Sequence, residues 1–299
     1  MRGSDGTPVR LRFTKLGKVR FVSHRDLARA FERAFRIEQL PLAFTQGFSP
    51  RPKVSFGLAL GVAHESYAEY LDFDLAQPVD IDGLPELLSP VLPEGVDVTG
   101  ATELAERAPS LQEAVTTVSV RCSLHDMPTD VLASAVERAL ASDTLPITTT
   151  RKGREVVEDL RPALRHLVVT NETSNPTSNW ASSGSVIDAE TATHPQGLRP
   201  ADLIRALREL AGATDPTGED RVLRTKQWIE RDGARLEPLE ADCAAHTELS
   251  VRATSKGLID DRRDHPGGDD LRDHGRDQPR ADQHADPRQL TGQLAGRIA

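Results

Sequence analysis

The segment Thr45-Gln-Gly-Phe-Ser-Pro-Arg-Pro-Lys53 sets an amide, an aromatic ring, a hydroxyl and two cations on one short stretch. Gly47 frees its backbone while Pro50 and Pro52 stiffen it, so the side chains between them are held on an ordered loop. Just upstream, Arg25, Arg29, Arg33 and Arg36 recur at intervals of 4, 4 and 3 residues. At about 100° per residue they fall on one side of a helix. Guanidinium and ammonium groups contact phosphates, rings stack on bases, and amides and hydroxyls read base edges. The candidate nucleic-acid-binding residues are therefore Arg20, Arg25, Arg29, Arg33, Arg51 and Lys53 for phosphate, Phe48 for stacking, and Gln46 and Ser49 for base edges. Such a set binds and performs no reaction. A solvated basic helix face, and a structural corner with Phe48 buried, explain the same residues without a ligand.

Charge is segregated along the chain. Residues 1–57 hold 12 Lys/Arg against 4 Asp/Glu, whereas residues 58–110 hold Arg107 alone against 11 acids, within a chain of net charge −9. Positive charge concentrated in one place is the footprint of an anionic partner.

Catalytic signatures are missing. The sequence has no Walker loop and no G-x-G-x-x-G, G-x-S-x-G or H-E-x-x-H, which removes most nucleotide, hydride and hydrolase assignments. The acid/base candidate is His24, beside Ser23, Arg25 and Asp26 at a helix start, where a purely structural first turn explains the same residues without catalysis. Asp72 and Asp74 point the same way on a strand, with Glu65 and Glu69 nearby; they read as a Mg²⁺ site or as a solvent-facing acidic edge. Arg151-Lys-Gly-Arg154 reads as a hairpin turn or as an extension of the basic surface. Only Cys122 and Cys243 are present, so no disulfide framework or iron–sulfur site can be built. The histidines lack metal spacing, and neither a metal nor a cofactor is expected. No run of about 18 apolar residues exists and Met1-Arg-Gly-Ser-Asp-Gly6 lacks an apolar signal core, so a cytoplasmic protein without a membrane partner is expected.

These residues need elements to hold them. Ser23 and Asp26 form a capping box at the start of a helix whose apolar positions are Leu27, Ala30, Phe31, Ala34 and Phe35. Strands are predicted at 9–13, 19–22, 40–44, 53–60 and 67–75, then a helix at 81–88 and a strand at 96–104. A similar order recurs. Strands at 114–124, 145–150, 164–170, 186–191 and 221–229 alternate with helices from Pro128 to about Leu140 and from Pro200 to about Leu210. The fold class is α+β, two tandem ferredoxin-like β-α-β-β-α-β units. The units span 9–106 and 112–240, with a flexible polar insert at 171–185. From 241 to 299 the polar composition predicts a disordered tail.

Arg20-Phe-Val-Ser-His-Arg-Asp-Leu27, Phe31-Glu-Arg-Ala-Phe35, Leu40-Pro-Leu-Ala-Phe-Thr-Gln-Gly-Phe-Ser-Pro-Arg-Pro-Lys-Val-Ser-Phe-Gly57 and Glu69-Tyr-Leu-Asp72 resemble the radical-SAM-linked protein family of bacteria. The likeness is specific over residues 9–75 and extends more weakly to about 240, through Arg151–Arg161 and Arg221–Trp228; the tail after 242 departs from it. The resemblance implies a cytosolic accessory protein working beside, or fused to, a radical-SAM enzyme. The chain has no Cys-x-x-x-Cys-x-x-Cys, so the cluster would be the partner's.

The leading expectation is a non-catalytic RNA-binding or substrate-presenting module that serves a radical-SAM enzyme in RNA modification. One alternative is a protein-interaction module whose basic face docks an acidic partner, and another is an enzyme that uses His24.

Overall fold

Apolar residues at every second position make the first strand, β1 (Thr7–Lys15), bury Val9, Leu11 and Phe13 on one side. The computed structural model describes residues 6–105, 108–151, 153–170, 184–213 and 218–242, all within the unit Met1–Thr254; the unit Ser255–Ala299 lies outside the described residues. After β1 come helix α1 (His24–Ile37), β2 (Val54–Phe56), β3 (Glu65–Leu75), α2 (Leu84–Leu88) and β4 (Val98–Glu103). A second series follows: α3 (Leu111–Ala114), β5 (Thr117–His125), α4 (Thr129–Ala141), β6 (Pro146–Arg151), β7 (Arg154–Asp159), β8 (Leu164–Thr170), β9 (Gly184–Ala192), α5 (Pro200–Ala211), β10 (Arg221–Arg231) and β11 (Ala234–Leu236).

Among the described residues, nine strands form one mixed sheet in the order β4-β1-β3-β10-β5-β9-β8, with β2 on β3 and β11 on β10. Every pairing is antiparallel except β3 with β10, where Leu223 lies opposite Glu65 and Arg224 opposite Ser66. That parallel seam joins the two halves. Leu71, Phe73 and Leu75 of β3 belong to a core with Phe31 and Phe35 of α1. Ala68 and Tyr70, which point the other way, belong to a second core with Leu132 of α4 and Leu203 of α5. Alternation along one strand thus feeds two cores, and the helices of the two halves cover opposite faces of the sheet.

Several predicted elements resolve differently. The strand expected at 19–22 is a 3-10 turn, Gly17–Phe21: Gly17 takes φ +67° and its N–H donates to Glu65 Oε1 at 2.8 Å, which turns the chain out of the sheet. The strand expected at 40–44 makes only single bridges, Leu42 with Leu75 and Phe44 with Pro52, because Pro41 and Pro52 supply no N–H. The strand expected at 53–60 shortens to β2. Leu111–Ala114 coils into a helical turn ahead of β5. The strand at 145–150 exists as β6 but leaves the main sheet to pair with β7 alone. Gly153, at φ +76°, closes that hairpin as the turn reading of Arg151–Arg154 requires. Ala241 and Asp242, assigned to the tail from sequence, are buried. Of the insert expected at 171–185, Gly184 and Ser185 begin β9, and residues 171–183 and the rest of the tail lie outside the described residues.

Cys122 on β5 is fully buried, and burial pushes its thiol well above the ordinary range. Labelling of the folded chain with a thiol reagent, mapped by mass spectrometry, is expected to leave Cys122 unmodified until denaturant is added; modification at the native rate of a free peptide thiol would contradict this burial.

Candidate nucleic-acid interface

Helix α1 presents the basic stripe. Ser23 accepts the Asp26 N–H at 3.2 Å, and its hydroxyl donates to the Asp26 carboxylate at 2.8 Å. The carboxylate therefore reaches the Ser23 hydroxyl rather than a backbone N–H, and it stays at the positive end of the helix dipole. That hydroxyl, then Arg29 and Arg25, hold the Asp26 carboxyl below its usual value against the opposing effect of desolvation. Leu27, Phe31, Ala34 and Phe35 are buried, and Phe31 meets Phe13 edge-on at 4.8 Å and Phe56 at 6.0 Å. Burying each such ring stabilises the fold by about 1.5–3 kcal/mol. With that side fixed to the sheet, Arg25, Arg29, Arg33 and Arg36 are all exposed.

The 45–53 loop is braced at its base. Ala43 N–H donates to Asp74 O at 2.7 Å, Lys53 N–H to Ala43 O at 3.0 Å, and Thr45 N–H to Arg51 O at 2.9 Å, while Thr45 Oγ1 accepts the Arg51 N–H at 3.1 Å. Gly47 at the tip takes φ +136°. Gln46, Ser49 and Arg51 are exposed, and Phe48 is fully exposed. The buried-corner reading of Phe48 does not describe this loop. Leaving a phenyl ring in water forgoes about 1.5–3 kcal/mol that a stacking partner would recover.

Pairing in space sorts the cations of the first 57 residues. Arg10 is bound to Asp72 at 2.7 Å and to Asp242, Arg12 to Glu237 at 3.4 Å, and Lys53 to Asp74 at 3.3 Å. Arg20 is paired with Glu219 at 3.1 Å and lies 4.5 Å over the ring of Phe21, so it is committed to the fold. Arg29 holds Asp26 at 2.9 Å in a pair open to solvent, which contributes little. Lys18, Arg25, Arg33, Arg36 and Arg51 have no ion pair among the described residues.

The acids of β3 are taken by the same kind of pairing. Glu65 binds Arg221 at 2.5 Å and Glu69 binds Arg224 at 2.9 Å, in addition to the Asp72 and Asp74 pairs. These pairings turn the acids toward cations rather than along a solvent-facing edge, and no group of three His, Cys, Asp or Glu among the described residues could hold a metal ion. His24 is exposed and its ring packs edge-on against Phe56 at 4.7 Å, a stacking contact at the helix start. No helix among the described residues is long and apolar enough to cross a membrane.

Sequence reasoning missed Phe44, half-exposed on the hairpin, because it was counted as the end of a strand; its bridge to Pro52 turns the ring outward. Trp228 was also missed. Its Nε1 donates to Ser119 Oγ at 2.8 Å, and Arg235 and Lys226 lie 4.2 and 4.9 Å over its ring, so its face is already covered by cations.

Among solved structures, the chain shows a weak likeness to a putative dyp-type peroxidase protein from Shewanella oneidensis: 9% identity over 70% of this chain and 85% of that chain, with a TM-score of 0.18. A superposition so poor carries no argument about fold or chemistry. No curated protein matches the chain. A family model does match, over residues 9–198, which takes in the α1 stripe, the 45–53 loop and most of the second half. The chain belongs to that family, the uncharacterized proteins conserved in bacteria (DUF2344).

Proposed function

We propose that this chain is a non-catalytic accessory module that presents RNA to a radical-SAM enzyme, binding it through α1 and the 45–53 loop. The observation that carries the reading is the combination of four exposed α1 arginines with a braced loop holding Phe48 in solvent beside Arg51. Arg25, Arg29, Arg33 and Arg51 contact phosphate, Phe48 stacks on an unpaired base, and Gln46 and Ser49 read base edges. Arg20 and Lys53, held by Glu219 and Asp74, position the surface rather than contribute free charge. The radical-SAM partner follows from the resemblance of residues 9–75. The tandem ferredoxin-like description of the scaffold is supported by the strand orders β4-β1-β3-β2 and β10-β5-β9-β8, in which each pair is antiparallel.

The test is titration of the full chain with single-stranded RNA and a tRNA pool across a salt series. Changing Arg25, Arg33 and Arg51 together to Ala is expected to flatten the slope of log K against log salt by about 2 units, since each phosphate contact on a single strand contributes about 0.7. Phe48→Ala is expected to lower affinity by about 1–3 kcal/mol with the slope kept. Unchanged affinity and slope in both variants would overturn the reading. A docking surface for an acidic protein is the second reading, favoured by the exposed Ile37 and Phe44 near the same cations. Co-purification that survives nuclease and is lost in the triple variant would establish it instead.

A further inference from the structure

A cavity of about 620 Å³ lies where the two halves meet, between the stretch 58–64 and the start of α5. Its volume falls within the range of about 300–1,000 Å³ usual for small-molecule sites. Val118 and Val120 of β5, Val222 of β10 and Leu198 line it with apolar surface. No aspartate or glutamate lines it; the charged residues on its wall are Arg199 and Arg224, and His64 is the other titratable one.

Arg224 is buried and rigidly held. Its guanidinium donates to the carbonyls of Leu58 at 2.9 Å and Ala59 at 3.1 Å and to the Glu69 carboxylate at 2.9 Å. Glu69 offsets that charge, so the uncompensated cation of the wall is the exposed Arg199. It stands at the N-cap of the 12-residue α5, which has no side-chain cap, and Pro200 and Ala201 of its first turn also line the cavity. The positive end of the helix dipole adds to Arg199 there. Burial, then Arg224 and Lys15, lower the His64 pKa, which leaves a neutral imidazole on the wall at neutral pH.

We propose that this cavity binds a small amphiphilic organic acid, with its apolar body on Val118, Val120, Val222 and Leu198 and its carboxylate toward Arg199 and the first turn of α5. A neutral apolar ligand would leave the cationic end unmatched, and a strongly polar one would waste the valine floor. The site is separate from the α1 surface and does not depend on its role.

The full chain titrated with octanoate and with 4-phenylbutanoate, each beside the matching alcohol, tests this by calorimetry and thermal shift. At least one acid is expected to bind saturably and at least tenfold more tightly than its alcohol. Arg199→Glu, an exposed change, is expected to weaken the acid about tenfold or more while leaving the alcohol and the melting temperature of the free chain unchanged. Val120→Trp, which fills the cavity, is expected to abolish binding. Absence of binding by both acids, equal affinity for acid and alcohol, or full acid affinity in Arg199→Glu would overturn the proposal.

Discussion

Arg10→Leu is expected to lower the free energy of unfolding by about 3–5 kcal/mol, the cost of removing one partner from a buried ion pair. Arg10 is completely buried, with Nε and Nη2 on the Asp72 carboxylate at 2.7 and 2.9 Å and Nη1 on Asp242. A leucine fills much of the same space but takes the hydrogen-bonded guanidinium from two carboxylates, one of them, Asp242, almost wholly shielded from water and left with the attraction of Arg231 alone. Burial already raises the Asp242 carboxyl above its ordinary value, and Arg10 opposes that rise. A carboxyl raised in the folded state makes the folded chain the better proton binder. Its contribution is complete below the unfolded value and is lost as pH rises through the folded one. Without Arg10 the folded value rises further, so the defect in Arg10→Leu should be smaller at about pH 5 than at about pH 8. Denaturant unfolding at the two values measures it. Adding Asp242→Asn should recover part of the loss, a coupling that a double-mutant cycle isolates. A loss under about 1 kcal/mol, or one independent of pH, would show that the triad does not hold the first strand to the end of the fold.

Phe31→Ala should cost about 3–5 kcal/mol. The ring is fully buried among Phe13, Phe35 and Phe56 at centroid distances of 4.8, 5.9 and 6.0 Å. The rings around it are fixed by β1, α1 and β2, which limits how far the core can close over the space. The consequence for function follows from the helix itself: Phe31 is the central anchor of the face opposite the arginines. Under conditions where Phe31→Ala remains folded, the RNA affinity proposed for α1 should stay within a few-fold of the parent with its salt slope kept, because no phosphate contact is removed. Thermal melting followed by the salt titration separates the two effects. A variant that keeps its melting temperature would contradict the packing, and one that is folded but has lost the salt slope would show that the stripe depends on helix placement more than on charge.

The helices were legible because each carries its whole signal locally. Ser23 and Asp26 mark the start of α1, its buried face repeats at helical spacing, and Gln39 at φ +52° with Pro41 beyond it ends the run. Strands β8, β9 and β10 were found within a few residues because each segment is locally rich in strand-forming residues. The exposure of Arg25, Arg29, Arg33 and Arg36 also follows from spacing alone, once the opposite side of the helix is apolar.

Distances along the sequence conceal everything that depended on pairing. The short runs at 19–22 and 40–44 have strand composition, yet they lost their place in the sheet to a glycine turn bonded to Glu65 and to prolines without N–H donors. The acids at 65–74 looked like one patch because they are neighbours in the chain. In the structure each is matched to a cation outside β3, Arg221 and Arg224 of β10, Arg10 of β1 and Lys53 of the loop. The same kind of pairing holds Arg20 on Glu219.

By itself the sequence determined the periodic elements, the basic stripe of α1 and the stiff loop at 45–53, since these follow from residue order over a few turns or pleats. Only the tertiary structure decided that one sheet runs through both halves, that its helices lie on opposite faces, and that Asp242 closes onto Arg10. Strand order and ion pairing are set by which surfaces meet after the chain has closed loops of many tens of residues, and no local periodicity encodes that choice.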